Sequence, residues 1–383
     1  MDFSKLSELM DHFTSWRIPG NSCVVYKDRK PVFKYSSGYS DIESGKKMCG
    51  DELLYMFSAT KPVVCAAGLT LWEKGKLDLD APVSKYLPEW DNMTYVSRDE
   101  NGNEIVLPVP ADRKATVKQL FSMTAGMDYM TETEAQLAAR ERTAPRCPTR
   151  EIVRAMAERP LRFIPGEHWN YSLCHDVLGA VIEVAADMTL ADYVGETIIK
   201  PVGMKNTEFG IRDERRARMA TMYCFNDTTV RIEKNPTQDN WSIFGTEYHS
   251  GGAGLTSTVG DMAMFTEMMS AGGITIGGER IIKEETLDMM RRNHLSPQQM
   301  VDFNWSHLAG YGYGLGVRTL VDPASVNTKA PVGEYGWTGA AGAFMLIDPT
   351  NHVAMFYAHH MLNNQEYYTA PRLRDTLYEC LDK

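Results

Sequence analysis

The sequence has no run of apolar residues long enough to cross a bilayer, although 43% of its 383 residues are hydrophobic, so no membrane-spanning helix is expected. Cysteine is sparse and unpatterned. Its seven copies are odd in number, widely scattered and free of any C-x-x-C pair or zinc-like spacing, which argues against structural disulfides and thiolate metal sites. Basic charge is in deficit too: the net charge is -10, and a nucleic-acid partner needs a basic surface. There is no G-x-S-x-G elbow, H-E-x-x-H, phosphate loop or dinucleotide fingerprint, so the familiar signatures of nucleophile-elbow hydrolases, zinc proteases and nucleotide binders are missing. No metal and no cofactor are expected. Asp2, Glu8 and Asp11 interrupt the opening segment Met1 to Trp16, so it does not read as a secretory signal, and a cytoplasmic location is expected.

What remains is the composition of a large globular protein, whose seven tryptophans and 23 methionines read as core filling. Apolar residues Phe3, Leu6, Leu9, Met10, Phe13 and Trp16 recur at helical spacing until Pro19-Gly20. Two β-rich runs follow, Ser22 to Tyr26 and Pro31 to Tyr39, around the polar turn Lys27 to Lys30. A second hairpin is expected where Ala343 to Asp348 and His352 to His359 flank Pro349-Thr350-Asn351, and Leu373, Leu377 and Leu381 mark a closing helix. Between these β-rich ends the periodicity is mostly helical, with start signals at Thr116 (Gln119 three on), Thr189 (Asp192) and Thr258 (Asp261). The pattern implies an α+β fold: an antiparallel sheet built from both chain ends (1–85 and 250–383), flanked by helices, with a mainly helical lobe (86–249) inserted. A cleft between the two is the natural site.

Three motifs carry chemistry. Phe57-Ser58-Ala59-Thr60-Lys61 precedes the apolar run Val63 to Trp72. S-x-x-K alone says little, since it recurs at Ser44 to Lys47 in an evident turn. Context separates them, because Pro62 is comfortable only in a first helical turn, which puts Ser58 at the positive end of a helix and Lys61 on the same face. A serine hydroxyl needs something to take its proton. Lys61 can do so if desolvation lowers its pKa; if it stays charged, it acidifies a neighbouring acid instead. That acid is available in the second motif, Trp169-Asn170-Tyr171-Ser172-Leu173, where Tyr171 precedes a helix carrying Leu178, Val181, Ile182 and Ala185. By itself Tyr171 is one of 18 tyrosines and reads as packing. The third motif, Glu334-Tyr335-Gly336-Trp337-Thr338-Gly339-Ala340-Ala341-Gly342, holds small residues that mark close backbone approach. An edge strand here would present the Ala340 amide, which with the Ser58 amide forms an oxyanion hole.

Together, in this order and spacing, the motifs resemble those of the class C β-lactamases, their penicillin-binding relatives and the family VIII carboxylesterases. The likeness extends through Lys74-Gly75-Lys76-Leu77-Asp78-Leu79-Asp80-Ala81-Pro82-Val83, Met123-Thr124-Ala125-Gly126-Met127 and Gly251-Gly252-Ala253-Gly254-Leu255-Thr256-Ser257-Thr258. The resemblance implies a β-lactamase/penicillin-binding-protein-like fold and an acyl-enzyme on Ser58. Two departures point to the esterase branch: Leu173 where β-lactamases carry Asn, and Trp337 where they carry Lys or His, which removes a partner for a β-lactam carboxylate. Trp337, Thr338, Gly339 and Leu173 are expected to contact the substrate.

The leading expectation is therefore a carboxylesterase for small or medium acyl esters, with Ser58, Lys61 and Tyr171 as catalytic residues and a small-molecule ester or amide as partner. A β-lactamase, D-amino-acid peptidase or other amidase on the same site is the alternative, and a non-catalytic sensor using the cleft is a third reading. His175 reads as structural, His359 and His360 alternate faces if they lie on a strand and so cannot easily bind one metal, and Cys65 and Cys174 read as packing residues.

Overall fold

The computed structural model describes residues 1–381. Strand β1 (Gly20–Lys27) turns into β2 (Lys30–Asp41) through Asp28 and Arg29, both at positive φ (49° and 66°). Such two-residue turns match the twist of an antiparallel hairpin. On its other edge β1 pairs antiparallel with a strand from the far end of the chain, Val353–His359, in register from Asn21 opposite His359 to Lys27 opposite Val353. The two chain ends thus share one sheet.

Numbering the remaining strands of that sheet in chain order gives β3 (Lys46–Lys47), β4 (Tyr311–Tyr313), β5 (Arg318–Leu320), β6 (Tyr335–Gly336), β7 (Phe344–Asp348) and β8 (Val353–His359), arranged β4-β5-β6-β7-β8-β1-β2-β3. Every residue of β7 and β8 is buried, as expected when both faces of a sheet are covered. Helix α1 (Ser4–Trp16) packs with the closing helix Glu366–Leu381 and sets Phe13 edge-on to Tyr357 of β8 at 6.1 Å. The helix Val259–Ser270, capped by Thr258 on the Asp261 amide, packs against β8, β1 and β7.

The interior of the chain is less purely helical than its periodicity implies. The helices begin as the caps predict: Thr116 and Gln119 form a capping box, and Thr189 caps the helix Leu190–Val194. An antiparallel hairpin also lies there, Thr94–Arg98 with Glu104–Pro108, as does a second one, Tyr223–Asn226 with Arg231–Lys234, to which Met361–Leu362 adds in parallel. All seven cysteines are free thiols. Among the described residues no helix is long and apolar enough to cross a membrane, and no cluster of three or more His, Cys, Asp or Glu side chains has the arrangement of a metal site.

Candidate active site

The segment before the serine is fixed first. Leu54–Tyr55 pairs with Leu255–Ser257, the Met56 amide donates to Leu255 O at 2.9 Å, and the Leu255 amide donates to Thr60 Oγ1 at 3.1 Å. Phe57 is held at φ 44°, a left-handed conformation costing on the order of 1–3 kcal/mol. Its ring contacts offset that cost, with Trp241 at 4.6 Å and Tyr55 at 6.1 Å. A short 3₁₀ turn, Phe57–Ala59, then feeds helix α2 (Thr60–Glu73), with Pro62 in its first turn. Ser58 sits at this junction, 9% exposed, and Lys61 is fully buried beneath it.

Three distant pieces of chain meet at the Ser58 hydroxyl. Lys61 Nζ donates to Ser58 Oγ at 3.2 Å and to the Gly252 carbonyl at 2.8 Å. The Tyr171 phenol donates to Ser58 Oγ at 2.5 Å. Lys61 Nζ also lies 4.6 Å from the centroid of the Tyr171 ring. The structure therefore brings Ser58, Lys61 and Tyr171 into mutual contact.

Burial alone would lower the Lys61 pKa, but the phenols of Tyr129 and Tyr171 and the carboxylate of Asp176 outweigh it and hold the amine above its ordinary value. These neighbours favour the charged form of the amine.

Tyr129, Asp176 and Trp305 join the site without having been singled out by the sequence. Tyr129 stacks on Tyr171 at 5.4 Å and 13°, and burial pushes its phenol up to about 12 against the pull of Lys61. Asp176, in the first turn of the helix Cys174–Ala186, accepts from Tyr248 at 2.9 Å and Ser250 at 2.6 Å. Burial raises its pKa against those bonds and the Lys61 charge. Trp305 meets the Tyr171 ring edge-on at 5.3 Å. Tyr129 follows Met127 of the Met123–Met127 motif by two residues, and Asp176 opens the run Asp176-Val177-Leu178-Gly179, which resembles the esterase branch but by itself assigns the carboxylate no role.

The third motif differs in detail from its expectation. Strand β6 is interior, paired to β5 through Arg318 and Thr319 and to β7 through Tyr335, so no edge strand presents an amide. The chain instead leaves the sheet after Gly336, bridges Thr338 to Phe344 and turns through Gly339 to Gly342, whose amide donates to Gly339 O at 2.8 Å. The Ala340 amide, on that turn, has no acceptor among the described residues. Gly339 packs on the Met56 carbonyl, where a Cβ would lie 2.3 Å from the oxygen, so the Ala340 turn rests on the segment that carries Ser58.

Trp337 is 2% exposed and stacks on Tyr171 at 5.7 Å, so it supports the phenol and offers little surface to a substrate. Leu173 is likewise buried and lines a small cavity of about 20 Å³ with Trp90, Met127 and Leu161. His175 is buried, bonds the Phe121 carbonyl through Nε2 at 3.1 Å and lies against Cys65. Burial pushes the Cys174 thiol up to about 11, which leaves it protonated and unreactive at neutral pH.

Comparison with known proteins finds relatives along most of the chain. The family model described as Beta-lactamase matches residues 5–378. Esterase EstB of Burkholderia gladioli is 27% identical over 351 residues, covering 87% of this chain and 83% of that protein. Acyltransferase calJ of Penicillium decumbens is 26% identical over 344 residues, covering 85% and 80%. Among solved structures, "EstCE1, a hydrolase with promiscuous acyltransferase activity" superposes with a TM-score of 0.78 at 24% identity over 98% of this chain and 97% of that one, a likeness of fold.

Proposed function

The chain belongs to the beta-lactamase family of serine-hydrolase fold, and on that premise we propose that it is a carboxylesterase acting through an acyl-enzyme on Ser58. The observation that carries the proposal is the convergence of Tyr171 at 2.5 Å and Lys61 at 3.2 Å on one serine oxygen. Ser58 Oγ attacks the ester carbonyl while its proton passes to the Tyr171 oxygen, and the Lys61 cation stabilises the phenolate from which that step starts. The Ser58 and Ala340 amides receive the negative charge that develops on the carbonyl oxygen. As the tetrahedral adduct collapses, the bond to the alcohol oxygen breaks and Tyr171 returns its proton to that oxygen. Water then attacks the acyl-serine as Tyr171 takes its proton, and the second adduct collapses: the bond from Ser58 Oγ to the acyl carbon breaks, Tyr171 returns the proton to Oγ, and the acid leaves.

The ester reading ranks above the amide one because the third motif carries Trp337, folded against Tyr171, where a β-lactamase would offer a cation to the substrate carboxylate. The similarity to Esterase EstB supports the same ranking. The decisive measurement uses p-nitrophenyl acetate and butyrate together with a fluorophosphonate probe. Ser58→Ala is expected to lose both turnover and labelling. Full activity in that variant refutes the proposal, and a higher kcat/KM for nitrocefin or a D-alanyl peptide than for the simple esters replaces the ester reading with the amide one.

A further inference from the structure

Trp305 does not behave as a core residue. It is 37% exposed and stands on the loop after the helix Pro297–Asp302. Its ring is nevertheless fixed from behind: it meets Trp169 edge-on at 5.7 Å and stacks on His307 at 5.9 Å, and His307 Nε2 lies 3.2 Å from Glu366 Oε1. A large flat ring held in place by its neighbours while part of it stays open to solvent has the form of a docking plate.

Its position relative to the proton path says what docks there. The alcohol that departs as Ser58 becomes acylated must present its oxygen to the Tyr171 phenol, since that phenol returns the proton. Whatever is bonded to the leaving oxygen therefore emerges beside Tyr171, and the indole of Trp305 lies 5.3 Å from that ring. Resting on the acyl-enzyme reading above, we propose that Trp305 is the specificity determinant for the leaving group, and that the preferred substrates are esters of aromatic alcohols whose ring packs on its open face. Trp241, 48% exposed and tilted against Phe57 at 4.6 Å, touches the residue before the serine and has no ring contact with Tyr171 among the described residues.

The test is a comparison of phenyl acetate with cyclohexyl acetate, which share the acyl group and the ring size of the alcohol but differ in aromaticity. Their different intrinsic reactivities cancel when each variant is referred to the unmutated enzyme. Trp305→Ala is expected to lower the phenyl-to-cyclohexyl ratio of kcat/KM by roughly three- to tenfold, the worth of one aromatic stacking contact, mainly through KM. Trp305→Phe should keep most of the ratio. Trp72→Ala, which removes another indole of 37% exposure at the far end of α2, should leave it unchanged.

In the unmutated enzyme, phenol should inhibit more tightly than cyclohexanol, a readout that does not depend on any variant folding. An unchanged ratio in Trp305→Ala, or equal inhibition by the two alcohols, overturns the inference. If Ser58→Ala meanwhile abolishes turnover of both esters, the acyl-enzyme reading still stands. Turnover that survives Ser58→Ala overturns both.

Discussion

Replacing Lys61 with methionine keeps the unbranched stem in its buried slot and removes only the ammonium. The charge lies 4.6 Å from the Tyr171 ring. At an effective dielectric of about 20, a unit charge at that distance interacts with a phenolate by roughly 3.6 kcal/mol. If catalysis starts from that phenolate, losing the cation costs on the order of 10² to 10³ in kcat. The assay is steady-state hydrolysis of p-nitrophenyl butyrate at pH 7.5 by Lys61→Met, with circular dichroism confirming that the variant folds. Because Lys61 also donates to the Gly252 carbonyl, Lys61→Arg is a useful companion: it keeps the charge, but its planar head must fit a fully buried slot, and it should recover only part of the rate. A folded Lys61→Met enzyme within fivefold of the original kcat refutes the reasoning, since the amine would then be neither base nor electrostatic partner.

Other outcomes follow from the same contacts. Gly339→Ala puts a methyl group against the Met56 carbonyl oxygen, a backbone atom that cannot swing away, so the Ala340 turn must lift off the serine segment; kcat should fall at least about tenfold, the scale of a weakened oxyanion donor. Asp176→Ala strips the acceptor from Tyr248 and Ser250, and urea denaturation should report a loss of about 2–5 kcal/mol for two buried donors left unpaired. Burial depresses the pKa of His175 to about 3, of His359 to about 3 and of His360 to about 4. Above pH 6.5 both folded and unfolded chains hold them neutral; below it only the unfolded chain takes up protons, so stability should fall with pH toward 4 by about 1.4 kcal/mol per unit for each histidine. Urea midpoints at pH 7, 6 and 5 that do not change would contradict it.

The fold was legible where its determinants are local. Pro62 fixed the start of the serine helix, Thr116 with Gln119 fixed another, and the β-rich runs at the two chain ends declared the hairpins that share the sheet. The Thr94–Pro108 hairpin was legible in principle, since Tyr95-Val96 and Ile105-Val106-Leu107 flank Asn101-Gly102, a turn pair that favours hairpins. The surrounding helical periodicity concealed it. At the site, Ser58, Lys61 and Tyr171 stood out because helix position and motif order mark them. Tyr129, Asp176 and Trp305 could not, because each gains its role from a long-range contact, a ring stack or a buried hydrogen bond, that no spacing along the chain encodes. Trp337 was visible, but its burial behind Tyr171 was not, because which face of a ring is covered is decided by tertiary packing.

The glycines explain how so much polar chemistry fits in so little space. A Cβ on Gly252 would lie 2.7 Å from Asp176 Oδ2 and 3.3 Å from Lys61 Nζ. Only a residue without a side chain lets the backbone pass between that acid and that base while its carbonyl accepts from the amine. Gly251 sits against the His175 carbonyl just as closely, at 2.1 Å from where its Cβ would be, which seats the same strand of backbone on the first turn of the Cys174–Ala186 helix. Gly339 does the corresponding work on the other side of the serine. Burying an ammonium is costly unless it is paired and hydrogen-bonded, and here a carbonyl, a hydroxyl, two phenol rings and a carboxylate are brought within its reach. The small residues of the second half of the chain are thus part of the electrostatics of the first: they set the closeness of approach that keeps Lys61 charged, and with it the phenol that the charge serves.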